Sequence, residues 1–347
     1  MTSKATPLVT TRQFLTSLLA AAIVLVAFNL LVIRFARNSV PRQLIERIES
    51  TPGITTLGLG NSLMAAGFDA AVFDSQMSPA HVLAFNAGLG ASSQVEHLTL
   101  LREAFRRDPT IKVVIYGFFD FQLTDPPVIN NSDLIGNLAA SYYLEPAIAA
   151  QYYQMSTRDR VEFEAMRFFP MMVERGNIWA KVELLRRAVD RIGMPHIETN
   201  QFGRASDFAL LEARSREAFA ASCENWYKSG AGLNEPVSEM IRESHAHGAA
   251  VVIVEMPMAP YHRRQFYSLA EWDRYRQKVR KLVQEAGAEY ISASDWISDP
   301  RDFADHLHLR ATGAGDFSRE LALYLRNSPY RASYMAPSSE NDASQVP

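Results

Sequence analysis

The chain has 347 residues, 48% of them hydrophobic and 21% charged, which are ordinary proportions for a folded globular protein and exclude a highly charged disordered one. A formal net charge of −3, with no basic stripe, gives no reason to expect a nucleic-acid partner. The single cysteine, Cys223, cannot form an internal disulfide and lies in a helical stretch, Glu217–Lys228, where it reads as a small buried side chain.

After a short N-terminal segment, residues 1–13, comes an uncharged run, Phe14–Ile33, whose only strongly polar side chain is Asn29. At 1.5 Å per residue, about 20 apolar residues match a hydrocarbon core of about 30 Å. A signal peptide would have a shorter apolar region of about 7–15 residues and a small-x-small cleavage site. Here Arg34 and Arg37 follow directly, so residues 14–33 are predicted to be an uncleaved transmembrane anchor. Lys4 and Arg12 before it stand against Arg34, Arg37 and Arg42 after it, a balance that does not favour a cytoplasmic N-terminus. Residues 34–50 then read as a juxtamembrane linker, with Leu44, Ile45 and Ile48 at helical spacing in Val40–Ser50.

Residues 51–327 read as an α/β domain. Short apolar runs at Thr55–Gly60, Val82–Asn86, Lys112–Phe118, Ala249–Met256 and Glu289–Ser292 suit parallel strands buried on both faces. Helical stretches such as Val95–Arg107 and Leu269–Ala286 separate them, the alternation of a three-layer, doubly wound sheet. About 125–244 breaks the alternation with Tyr, Met, Phe and Arg in helical patterns, and reads as a helical insertion over the C-terminal ends of the strands or as a purely structural subdomain. Residues 328–347, rich in Ser, Pro, Asn and Asp, read as a disordered tail.

The first strand runs into Gly58-Leu59-Gly60-Asn61-Ser62. A serine at the tip of a buried strand, just before a helix, can expose its hydroxyl and aim its own N–H at an oxyanion; the competing role is an N-cap. Near the other end stands Asp305-His306-Leu307-His308, ahead of a helix over Ala314–Arg326. A hydroxyl nucleophile needs a base, and the base needs an acid to fix its tautomer; Asp-x-x-His supplies both from one loop. Either histidine could instead cap that helix. His245-x-His247 and His306-x-His308 lack a third ligand at a recognisable spacing, so no metal site is expected. The fourth strand ends in Glu255-Met256-Pro257-Met258-Ala259-Pro260, followed by His262 and Arg263, which either reach the same rim as Ser62 or belong to a solvated loop.

Together these motifs resemble the SGNH/GDSL hydrolase superfamily over about Thr55–Asn130 and Ala249–Arg326. Leu59-Gly60-Asn61-Ser62 looks like its first block and implies a nucleophilic Ser62. Asn86-Ala87-Gly88-Leu89-Gly90 looks like the second, which implies that Gly88 joins Ser62 in the oxyanion hole. Asp305 and His308 match the last block and imply the rest of a triad. Tyr116-Gly117-Phe118-Phe119-Asp120 falls where the third block places an asparagine donor. Phe119 cannot donate, which leaves Asn130 or Asn131 as substitutes and Asp120 as a brace for the loop. Asn61, Asp120, His262 and Arg263 are the expected substrate contacts. With its anchor, the layout resembles the membrane-tethered branch that includes D-alanyl transfer proteins of teichoic acid and proteins of exopolysaccharide O-acetylation. That resemblance implies a periplasmic domain, a small acyl group, an acyl donor and a carbohydrate polymer as substrates, a multispanning membrane acyltransferase as partner, and no cofactor. The competing readings are a non-catalytic polymer-binding or acyltransferase-docking subunit and a cytoplasm-facing lipid esterase.

Overall fold

The structure is a computed structural model that describes residues 11–36, 40–78, 82–127, 151–153, 156–169, 171, 186 and 216–328. The N-terminal helix α1 (Thr11–Ala36) leaves Phe14, Leu18, Ile23 and Leu30 exposed. Its span Thr11–Val32 has a mean hydropathy of 2.5 and is long and apolar enough to cross a membrane, a property that signal sequences share. Asn29 is buried, and its Oδ1 accepts a hydrogen bond from the Met171 N–H at 3.1 Å. Helix α2 (Val40–Ser50) was expected to be linker. It buries Leu44, Ile45 and Ile48 in the domain core and packs on the helix Gln94–Arg107, so it belongs to the folded unit.

Five strands follow, β1 (Thr56–Gly60), β2 (Ala84–Asn86), β3 (Val113–Phe118), β4 (Ala250–Glu255) and β5 (Glu289–Ser292). All pair in parallel in the order β2-β1-β3-β4-β5, the flavodoxin-like arrangement, and together with the flanking helices they give the three-layer α/β fold expected of the sequence. Side chains alternate across the sheet. Val114, Tyr116, Val251 and Ile253 face a core shared with α2, α5 (Gln94–Arg107), α8 (Glu235–Ala246) and α9 (Ala270–Glu285). Ile115, Val252 and Val254 face a second core with α3 (Ser62–Gly67), α4 (Ala70–Met77) and α10 (Ala311–Asn327). Burial on both faces explains the long apolar runs of the central strands β3 and β4.

Two further helices, α6 (Thr157–Phe168) and α7 (Arg216–Ser229), lie between β3 and β4. The interval expected to be an insertion ends earlier than 244. Helix α7 packs on α9, and α8 is the β3–β4 crossover, with Val237, Met240 and Ile241 buried. Before them, Tyr152, Tyr153 and Phe163 join the core, and Tyr153 Oη hydrogen-bonds Ser93 Oγ at 2.5 Å, at the start of α5. Asn130, Asn131 and residues 329–347 lie outside the described residues.

The β1–α3 junction is set by close packing. Gly60 has φ +150°, and a Cβ there would stand 2.6 Å from the carbonyl oxygen of Gly117. Only glycine lets α3 begin immediately at the strand end.

Candidate active site

Sheet order fixes where a ligand should lie. The chain leaves β1 toward β2 on one side, and β3 lies on the other, so a crevice opens beyond the C-terminal end of β1. Ser62 stands there. Asn61 before it is the N-cap of α3, its Oδ1 accepting the Leu63 N–H at 2.9 Å. The N-cap role is thereby filled by Asn61 and the Ser62 hydroxyl is left for another partner.

That partner is His308, whose Nε2 lies 2.9 Å from Ser62 Oγ. The opposite nitrogen, Nδ1, lies 2.8 Å from Asp305 Oδ2 and 3.0 Å from Oδ1. Asp305 Oδ1 also accepts the backbone N–H groups of Leu307 and His308, each at 2.8 Å, so the carboxylate and imidazole are locked into one turn. Burial opposes ionisation of Asp305, but hydrogen bonds and charge from His308, with the two backbone donors, outweigh it and bring the carboxyl down to about 2. An ionised Asp305 draws the proton to Nδ1. The bare Nε2 then faces the Ser62 O–H, the polarity a general base requires.

The oxyanion side departs from expectation. Gly88 donates its N–H to Asn86 Oδ1 at 2.9 Å, and a Cβ on it would stand 2.3 Å from the Ala65 nitrogen. Gly88 therefore allows the β2–α5 loop to press on α3; its N–H is already engaged. The part of the loop beside the serine is two residues on, where a Cβ built on Gly90 would be 3.9 Å from Ser62 Cβ. Ala91 follows with φ +55°, a left-handed conformation uncommon for alanine. Among the described residues, no acceptor takes the N–H of Ser62, Gly90 or Ala91.

Phe119 lies partly buried, with no side-chain donor, at the rim of an open cavity of about 380 Å³ that Asn61, Ser92, Gln94, Asp120 and Gln122 also line. Asp120 does brace its loop: its N–H donates to Tyr267 Oη at 3.1 Å, while its Oδ1 accepts the Tyr267 O–H at 3.0 Å and His262 Nε2 at 3.3 Å. It too is left-handed, with φ +46°. His262 was expected at the rim but is 1% exposed, so it supports Asp120 from beneath and cannot meet a substrate directly. Arg263 lines a different groove, with Arg264, Tyr267 and Arg276. Of the four expected substrate contacts, only Asn61 and Asp120 line this cavity, which Asn61 borders as the chain neighbour of Ser62. Sequence reasoning missed Ser92 and Gln122, which line this cavity, and His97 and Tyr116, the buried side chains hydrogen-bonded to them. His97 and Tyr116 read from sequence as ordinary core positions of a helix and a strand.

No protein-family model matches the chain, and no curated protein matches it. Among solved structures it is similar to Est24, a carbohydrate acetylesterase from Sinorhizobium meliloti, at 11% identity and a TM-score of 0.38, over 79% of this chain and 99% of that one. It is similar to the M. smegmatis aryl esterase at 11% identity and a TM-score of 0.37, over 79% and 99%. A lipase/acylhydrolase from Enterococcus faecalis matches at 10% identity and a TM-score of 0.35, over 79% and 96%. Likenesses this distant carry no argument about activity, which rests on the geometry of the Ser62 site.

Proposed function

We propose that the protein is a serine-dependent ester hydrolase or O-acyltransferase. The observation that carries this reading is the continuous hydrogen-bonded line Ser62–His308–Asp305. In it, Ser62 Oγ attacks the carbonyl carbon of an ester while its proton passes to His308 Nε2. Asp305 stabilises the imidazolium that results. The backbone N–H groups of Ser62 and of the 90–91 turn receive the oxyanion. Collapse expels the alcohol, which takes the proton back from His308 and leaves an acyl-Ser62. Water then resolves the acyl-enzyme in a hydrolase, and a sugar hydroxyl resolves it in a transferase.

The finer reading places a small acyl group, such as acetyl, on a carbohydrate polymer of the cell envelope, with the domain periplasmic, α1 as its anchor and a multispanning acyltransferase as a partner. The cavity that Asn61 lines suits a hydroxylated substrate, since Gln94, Asp120 and Gln122 offer polar groups around the apolar Phe119. A second reading, a non-catalytic polymer-binding subunit, is favoured by one observation: Phe119 supplies no side-chain oxyanion donor where the resembled superfamily has one, a loss that costs about 10²–10³ in rate.

Fluorophosphonate labelling of the full-length protein separates the two. The expected result is labelling of wild type that Ser62→Ala abolishes and His308→Ala reduces by roughly 10³-fold or more. Folded wild type that takes no label, or Ser62→Ala that labels as well as wild type, overturns the enzymatic reading. A C-terminal reporter active only in the cytoplasm would overturn the outward orientation.

A further inference from the structure

Five side chains beside the triad join end to end. Asn61 Nδ2 lies 3.3 Å from Gln122 Oε1, and Gln122 Nε2 lies 3.3 Å from Tyr116 Oη. Tyr116 Oη lies 3.0 Å from His97 Nδ1, His97 Nε2 lies 2.6 Å from Ser92 Oγ, and Ser92 Oγ lies 2.5 Å from the Leu89 carbonyl oxygen. The direction of every hydrogen bond is forced. The Leu89 carbonyl can only accept, so it takes the one proton of Ser92. His97 must then donate to Ser92 through Nε2–H. Burial brings His97 down to about 3, so it is neutral and has one N–H, which leaves Nδ1 to accept the Tyr116 O–H. The Tyr116 oxygen accepts from the Gln122 amide, whose carbonyl accepts from Asn61. The far end agrees independently, because Asn61 Oδ1 is already accepting from Leu63 N–H and only its Nδ2 can donate.

The line joins three separate segments around the serine. Asn61 caps α3, Gln122 lies in the turn after β3, and Ser92 closes the turn that contains Gly90 and Ala91. Its middle members are 0% and 2% exposed, so His97 and Tyr116 touch no substrate. Leu89 to Ser92 includes the left-handed Ala91, a strained conformation that persists only where the surroundings hold it. The Ser92 link to the Leu89 carbonyl spans that residue.

We propose that Tyr116 and His97 are positioning residues, whose relay from Asn61 to Ser92 holds the 89–92 turn against Ser62 so that its backbone N–H groups meet the oxyanion. The proposal rests on the reading of Ser62 as nucleophile. Shifts of about 1 Å in such groups cost up to about 10²-fold in rate.

The test uses full-length protein with 4-nitrophenyl acetate as probe substrate. Tyr116→Phe removes one proton from the relay and keeps the ring in the core. It should lower kcat by roughly 10- to 100-fold with KM unchanged. Ser92→Ala should act likewise, and the double variant should fall no further than the worse single, since both break one line. In wild type, ¹⁵N spectra of labelled histidines should show His97 as the Nε2–H tautomer, without titration down to about pH 5. Single variants with wild-type kcat, effects that multiply in the double, or an Nδ1–H His97 would each overturn the relay while leaving the Ser62 reading intact. Wild type that neither turns over the probe nor labels at Ser62 would overturn that reading, and the relay's purpose with it. If Tyr116→Phe does not fold, Ser92→Ala and the wild-type tautomer decide the matter.

Discussion

At the scale of single residues, two left-handed backbone positions flank the site, Ala91 on the oxyanion side and Asp120 beneath the cavity rim. Asp120 has Tyr267 and His262 to hold it; Ala91 has only a methyl side chain and depends on the turn around it. Strain of about 1–2 kcal/mol at Ala91 competes with the extra freedom a glycine would give the unfolded chain, about 0.4–1 kcal/mol. The first term is larger. Ala91→Gly should therefore stabilise the protein by about 0.5–1 kcal/mol, read as a rise in thermal midpoint. A fall in midpoint would show that the alanine methyl contributes packing worth more than its strain.

At the scale of elements, α2 is the clearest departure from the sequence reading. Its three apolar side chains at helical spacing were visible, but an amphipathic helix next to a long apolar helix suits either a lipid surface or a protein core, and only packing decides. Leu44, Ile45 and Ile48 are at most 5% exposed, packed against α5. Burying three such side chains is worth about 1.5–3 kcal/mol each. A truncated protein beginning at Val40 should fold; one beginning at Thr51 should lose much of its stability and aggregate, as light scattering and thermal unfolding would show. Equal behaviour of the two would mean that α2 only rests on the domain. Strands β3 and β4 were legible because burial on both faces leaves long apolar runs, VVIYGF and AVVIV, while the shorter β5 carries Glu289 and Ser292 at its ends. The hydrogen-bonded line Ser62–His308–Asp305 was legible too, since a strand-end serine and Asp-x-x-His carry their pattern locally. The relay was not: His97, Tyr116 and Gln122 stand on a helix, a strand and a turn, and only the packing of α5 on the sheet brings them together. Gly88 and Gly90 are two residues apart in one motif, and contact with Ala65 is what separates their roles.

At the scale of the molecule, two neighbouring buried groups on α5 shape the pH dependence of stability in opposite directions. Burial raises Glu96 to about 8, against hydrogen bonds from Ser93 that lower it. The folded state thus keeps a proton that the unfolded chain releases near its ordinary 4.5, and stability falls as pH rises from about 4.5 to about 8. His97, lowered by burial to about 3, stays neutral when the unfolded chain becomes charged, so stability falls as pH drops from about 6.5 to about 3. Between about 4.5 and 6.5 the slopes of these two groups cancel, and above about 6.5 the Glu96 slope is left unopposed by His97. Denaturant unfolding of wild type should show a decline from pH 6.5 to 8 that Glu96→Gln removes; a decline that survives the substitution would assign it elsewhere. The contact between Ser62 and His308 spans 246 positions of sequence, and α10, which directly follows the Asp305–His308 turn, packs on α3 and α4. Ribosomes make chains from the N-terminus, so the hydroxyl is synthesised, and if the proposed orientation holds also exported, long before the base that arms it. Until residues 305–308 have been made and have packed against α3, Ser62 stands without an imidazole at its hydroxyl.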